Sequence, residues 1–309
     1  MLFRLLASLI ILFLLTFSPF YSYSVPFQEE SENKETVKEE TEDKPAETQK
    51  PIIIKRPEIF APVDSLKQKE QDLSHYLSSD KVILMLAGAK EFITIINENT
   101  ANNQKGVMIL LPDWEMTATS SNALNYLQKI LPSQGWTTIT IQPPGRPIGY
   151  PSSVLNLTQQ VEENNKLLEE CQENIALIMN AVMEKAKDYP GIFVVVSKGS
   201  HAILLANLYS NGTLESPSAM VMLSGYMNTG ADSMAFAKTL ATSEFPVLDL
   251  FLSRDHQLAT TDSMIRKAQA TKEMKVYYRQ AQLHNNQIGF YPEKQLLRSI
   301  NGWLKSIGW

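Results

Sequence analysis

Ser197, Asp255 and His284 are the residues in this sequence whose types and order could do covalent chemistry. A serine hydroxyl is a poor nucleophile until a neutral imidazole accepts its proton. The imidazole in turn needs a carboxylate to fix its tautomer and stabilise its charged form. His284 is the candidate base and Asp255 its orienter. Each of the three follows a hydrophobic run that reads as a strand, so all three fall where loops converge over the C-terminal edge of an open sheet. Ser200 is the second-choice serine. His256, beside the acid, is the second-choice base, and His201 reads as structural.

The element that must position Ser197 is the stretch Gly191 to Ala206, GIFVVVSKGSHAILLA. Ile192 to Val196 is β-branched and aromatic, the signature of a buried parallel strand. Ser197-Lys198-Gly199-Ser200 breaks it, and a small-residue helix follows. Strand, sharp Ser-x-Gly turn and helix form the layout of a nucleophile elbow. The full pattern is Gly-x-Ser-x-Gly, and Val195 stands where its first glycine belongs. The same residues also suit a plain turn joining a strand to a helix.

Strands and helices alternate around this centre. Val82 to Ala87, Glu91 to Asn97, Gly106 to Leu111, Trp136 to Ile141, Ala219 to Leu223, Pro246 to Leu252 and Lys275 to Arg279 read as strands. Helical spacing covers Asp64 to Leu77, about Ser120 to Leu131, Leu157 to Lys187, about Thr261 to Ala270 and Glu293 to Ile307. In the long helix the apolar stripe is interrupted at Asn164 and places Cys171 in the core, not in a site. The Pro- and Gly-rich loop Gln142 to Ser153 follows a strand and can either rim a pocket or merely connect. Alternation of this kind predicts an α/β fold with a mostly parallel central sheet and helices on both faces.

Residues 1–24 read as a signal peptide: Arg4, an apolar run from Leu5 to Phe17, and small residues at Ser22 and Ser24. An uncleaved anchor is the alternative. Residues 25–60 form an acidic linker with too little apolar surface to offset chain entropy, and are expected to be disordered. Nine acids and four lysines between Pro26 and Lys50 carry the net charge of the whole chain, −5, and leave residues 51–309 near −1. A nearly neutral domain argues against a nucleic-acid partner. Residues 61–309 can bury one core. The single cysteine rules out an intrachain disulfide, and no residue spacing points to a metal or another cofactor.

The order serine, acid, histidine resembles that of the α/β-hydrolase superfamily. PVLDLFLSRD (246–255) is similar to its acid-bearing strand and turn, QAQLHNN (280–286) to its histidine loop, and YPEKQLLRSINGWL (291–304) to its closing helix. More narrowly, LLPDW, the strand before GW, the serine turn and the PVLD segment resemble an uncharacterised group of exported bacterial proteins, domain of unknown function 3530. The resemblance implies the fold, export to the periplasm or beyond, and an oxyanion hole made by the backbone N–H groups of Trp114 and Lys198. It departs at Pro112-Asp113, where the superfamily usually carries His-Gly. Two functions follow as expectations. One is a serine hydrolase that forms an acyl-enzyme on Ser197 with a small ester substrate and no stable membrane span after signal cleavage. The other is a non-catalytic binding or scaffold protein that keeps the fold.

Overall fold

The computed structural model describes residues 64–78, 81–121 and 123–309. The expected signal peptide (1–24) and acidic linker (25–60) lie outside the described residues. Eight strands form one sheet: β1 (Val82–Ala87), β2 (Lys90–Asn97), β3 (Gly106–Leu111), β4 (Trp136–Ile141), β5 (Ile192–Lys198), β6 (Ala219–Leu223), β7 (Val247–Leu252) and β8 (Tyr278–Leu283). Their spatial order is β1-β2-β4-β3-β5-β6-β7-β8. The β1–β2 hairpin is antiparallel, and β2 is antiparallel to β4. From β4 to β8 every pairing is parallel. This is the mostly parallel sheet that the alternating pattern implies.

Seven α-helices complete the described chain: α1 (Ser65–Tyr76), α2 (Ala123–Ile130), α3 (Leu157–Ala186), α4 (Gly199–Ser210), α5 (Gly230–Thr242), α6 (Gln257–Lys272) and α7 (Glu293–Ser306). They cover both faces of the sheet. Alternate residues of each central strand serve opposite cores. Val107, Ile109 and Val195 pack with α3 and α4 on one face. Met108, Leu110, Val194 and Val196 pack with α2 and α7 on the other. Strands buried on both faces are mostly apolar, as β3 and β6 are throughout, while β4 carries three buried threonines, β5 ends in Ser197 and Lys198, and β7 holds the buried Asp249.

Some elements differ from their sequence reading. Helix α5 has no counterpart there. The last strand begins three residues later than expected and runs to Leu283, so His284 is the first residue past its end. Asn164 does not interrupt α3. It is buried within the helix, and its Oδ1 accepts a hydrogen bond from Ser152 N at 2.7 Å, tying the preceding loop down. No helix of the described residues is long and apolar enough to cross a membrane.

Candidate functional site

The turn between β5 and α4 carries the sharpest backbone feature of the site. Gly199 has φ +63°, in the left-handed region where a side chain is strained. In a nucleophile elbow the nucleophile occupies this strained strand-to-helix position. Here a glycine holds it. Ser197 lies two residues earlier, inside β5 and opposite Leu111 in the parallel ladder. It is 0% exposed. Its Oγ donates to Leu111 O at 3.1 Å, completing the end of the β3–β5 pairing.

What occupies the space above Gly199 is the carboxylate of Asp113, from the loop after β3. A β-carbon added to Gly199 would lie 2.1 Å from Asp113 Oδ2 and 2.2 Å from its Cγ. Asp113 Oδ1 accepts hydrogen bonds from Trp114 N at 3.0 Å and Ser200 N at 3.1 Å. Tyr226 Oη donates to Oδ2 at 3.3 Å. In this fold the oxyanion hole is built from the N–H of the residue after the nucleophile and an N–H of the loop after the third strand. With the elbow at Gly199, that pair is Ser200 and Trp114. Trp114 N, expected from sequence as an oxyanion donor, here donates to the Asp113 carboxylate. Ser200 stands in place of Lys198, because the turn falls two residues later than a Ser197 elbow would put it.

The arrangement also explains how α4 begins. Lys198 at its N-cap makes no side-chain cap bond. A helix start needs acceptors for its first N–H groups and favours negative charge. Asp113 supplies both from another loop. Burial pushes its carboxyl up to about 6, against the opposing pull of the Trp114 and Ser200 N–H groups, Lys198 and Tyr226. One residue back, Pro112 O accepts from His201 Nδ1 at 2.7 Å. His201 is fully buried, and burial holds its imidazole down at about 4, so it stays neutral. Its ring packs edge-on against Trp114, with centroids 5.9 Å apart.

Asp255 follows β7, as expected, but its carboxylate is fully engaged locally. Oδ2 accepts from Ser224 Oγ at 2.6 Å and from Leu252 N at 2.9 Å; Oδ1 accepts from His256 N at 2.9 Å. His284 is exposed and its ring makes no hydrogen bond with the described residues. The structure thus joins Asp255 to Ser224, and no hydrogen bond links Ser197, Asp255 and His284. The ring of His256 faces that of Tyr226, with centroids 4.9 Å apart.

The short loop after β6 holds this cluster together. Ser224 has φ +48°, uncommon for a residue with a side chain. Its Oγ also meets Tyr291 Oη at 2.6 Å. Gly225 O accepts from Arg266 Nη1 at 2.8 Å, Tyr226 O from Ser200 Oγ at 3.0 Å, and Asp262 Oδ2 from Met227 N at 2.9 Å. Four consecutive residues are each tied by a different partner. Arg266 is itself bidentate to the buried Asp249, at 2.8 and 3.0 Å.

Sequence reasoning did not find Gly199, the Asp113 side chain or Ser224. Two signals pointed that way: Val195 in place of the first elbow glycine, and an acid in the loop that should form the oxyanion hole. Moving the elbow pattern two residues on would have put a glycine at the nucleophile's place. Nothing local marks Ser224, whose backbone is held by partners distant in sequence.

The fold is that of the α/β-hydrolases. Est1E from Butyrivibrio proteoclasticus aligns with TM-score 0.53 at 8% identity, over 73% of this chain and 99% of its own. The carboxylesterase Cest-2923 from Lactobacillus plantarum WCFS1 aligns with TM-score 0.52 at 10% identity, over 74% and 97%. An alpha-beta serine hydrolase homologue from Coxiella burnetii aligns with TM-score 0.50 at 10% identity, over 75% and 100%. At such identities the likeness is one of fold, not of activity. No curated protein sequence matches the chain. A family profile matches residues 9–306, and the chain belongs to that family, described as protein of unknown function DUF3530.

Proposed function

We propose that this protein is an exported, non-hydrolytic member of the α/β-hydrolase fold that acts by binding. One observation carries the reading: the Asp113 carboxylate fills both the nucleophile's place above Gly199 and the N–H pair of Trp114 and Ser200. Hydrolysis of an ester builds negative charge on the carbonyl oxygen, and preorganised donors must be free to receive it. Here the donors already hold an anion of the protein's own. A substrate oxyanion would have to displace a buried carboxylate and then lie beside it. Ester hydrolysis through Ser197 would further require a fully buried hydroxyl to leave Leu111 O and reach solvent. The acidic linker then serves as a spacer between membrane or partner and the folded domain.

The test is labelling of the purified protein with a fluorophosphonate probe that reacts with activated serines, alongside Ser197→Ala and His284→Ala. The expected result is labelling no stronger than that of the heat-denatured protein in all three. Labelling of folded wild type that maps to Ser197, Ser200 or Ser224 overturns the reading and restores a serine hydrolase.

A further inference from the structure

A cavity of about 550 Å³ lies between α3, the C-terminal end of α4 and the start of α5. Glu169 and Glu173 at its rim are exposed, so it is open to solvent. Leu168 and Leu208 give it an apolar floor, and Phe236, packed against the core, adds an aromatic wall. The charge of the lining is one-sided. Glu169, Glu173 and Asp232 contribute three carboxylates, and no lysine, arginine or histidine lines the cavity. None of the three forms an ion pair among the described residues. Glu169 and Glu173 stand four residues apart on α3, a like-charge spacing that disfavours a helix. Asp232 is only 8% exposed. Its Oδ2 is spent inside the protein, accepting from Thr229 Oγ1 at 2.6 Å and Tyr150 Oη at 2.9 Å. Its Oδ1 has no partner among the described residues and is not sealed from the cavity. A carboxylate so far removed from water needs donors. Asn207 is fixed in a similar way. Its Nδ2 donates to Gln172 Oε1 at 2.6 Å, which leaves Oδ1 without a donor among the described residues. The end of α4 that lines the cavity is the negative pole of its helix, while Asp232 already answers the positive pole of α5.

We propose that this cavity binds a small organic amine, cationic at neutral pH and carried on an apolar chain. An ammonium offers three donors and no acceptor. That is the complement of a lining whose fixed, unengaged atoms are acceptors. Asp232 Oδ1 and Asn207 Oδ1 hold one ammonium, and Glu169 and Glu173 hold a second where the amine has two. Leu168, Leu208 and Phe236 cover the methylenes, and the ring face of Phe236 attracts a neighbouring cation. Three carboxylates repel an anion, and a neutral polyol leaves their charge uncompensated. The cavity shares no lining residue with the Gly199–Asp113 site, so the proposal goes beyond the reading above and holds whether or not a serine is activated.

The test is calorimetric titration of the full chain with cadaverine at neutral pH and about 0.15 M salt, where exposed charges more than about 8 Å apart are largely screened. One saturable site is expected. Asp232→Asn and the double variant Glu169→Gln/Glu173→Gln should each weaken binding about tenfold or more, the scale of one charge-assisted hydrogen bond. The double variant alters only exposed side chains, so it decides the matter even if Asp232→Asn, which also touches the start of α5, fails to fold. Glu162→Gln/Glu170→Gln removes the same charge from α3 outside the cavity and should leave the affinity unchanged. Three results overturn the proposal: equal weakening by that control pair, binding of maltose or of the diol of equal chain length as tight as that of cadaverine, or no saturable binding at millimolar cadaverine.

Discussion

Gly199 and Asp113 are mutually exclusive with a side chain at the elbow: a β-carbon on Gly199 would come within 2.1 Å of Asp113 Oδ2 and 2.6 Å of Oδ1. Separations that short force one partner to move. Asp113 cannot move freely, since it accepts the N–H groups that open α4. The two positions therefore behave as one unit. Gly199→Ala should destabilise through the positive φ, by about 1–2 kcal/mol, and further through the clash. Asp113→Ala should destabilise by removing the cap of α4. The double variant removes the clash, so urea unfolding should show a cost below the sum of the singles by about 0.5–3 kcal/mol. Strict additivity would mean that the two side-chain positions do not compete for space.

Asp113 and His201 should give opposite pH dependences of stability. The Asp113 carboxyl titrates near 6 when folded, above its ordinary 3.8. Between those values the folded state holds a proton that the unfolded state has lost, so stability falls as pH rises from about 4 to about 6. His201 titrates near 4 when folded, below its ordinary 6.5. Between those values the unfolded state holds the extra proton, so stability falls as pH drops. Each effect is on the order of 3 kcal/mol, and in wild type they largely cancel. In urea unfolding from pH 4 to 6.5, Asp113→Asn should lose stability on acidification relative to wild type. His201→Gln should gain it. Parallel curves for both variants would mean that neither group carries a shifted titration.

The sequence was more informative about the sheet than about the site, for physical reasons. A strand buried on both faces is mostly apolar, so the runs 106–111, 192–196 and 219–223 stand out without knowledge of their partners. Alternation with helical segments then implies parallel order. Ser197 belongs to this same logic: as the end of a buried strand it spends its hydroxyl on Leu111 O, a partner 86 residues away. Which residue occupies the turn depends on where β5 stops, and polar Ser197 and Lys198 extend that strand by two residues. Asp255 was correctly placed after its strand. Its bond to Ser224 depends on a left-handed backbone at 224, which no local pattern announces. His284 was likewise placed after its strand, and only the packed structure shows its ring exposed.

Ser224 holds an unfavourable backbone conformation in return for two short hydrogen bonds, to Asp255 at 2.6 Å and Tyr291 at 2.6 Å. The two contributions can be separated. Ser224→Ala keeps the strain and loses the bonds, including one to a charged acceptor, and should cost about 1.5–3 kcal/mol. Ser224→Gly loses the same bonds but relieves the left-handed strain, a gain of about 1 kcal/mol. Denaturant unfolding should therefore rank wild type above Ser224→Gly and Ser224→Gly above Ser224→Ala. The reverse order of the two variants would show that the backbone at 224 is not strained.

Asp249 and Arg266 should respond unequally to truncation, although they form one ion pair. Burial alone would raise the Asp249 carboxyl, but Arg266, Gln280 and Tyr278 together hold it below its usual range. If Arg266 is lost, Asp249 keeps donors from Tyr278 Oη at 2.7 Å and Gln280 Nε2 at 2.9 Å. If Asp249 is lost, the guanidinium keeps only Gly225 O, at 2.8 Å, inside a fully buried site. An unpaired buried charge of that kind costs about 3–5 kcal/mol. Asp249→Ala should reach that range, and Arg266→Met should cost less, because its surviving carboxylate remains bonded. The loop after β6 should register the difference. Asp249→Ala keeps the Arg266–Gly225 tie, whereas Arg266→Met releases Gly225 O and should speed amide exchange at Gly225 and Tyr226 despite its smaller global cost. If Arg266→Met were the more destabilising variant, the carboxylate's two remaining donors would not be compensating its charge.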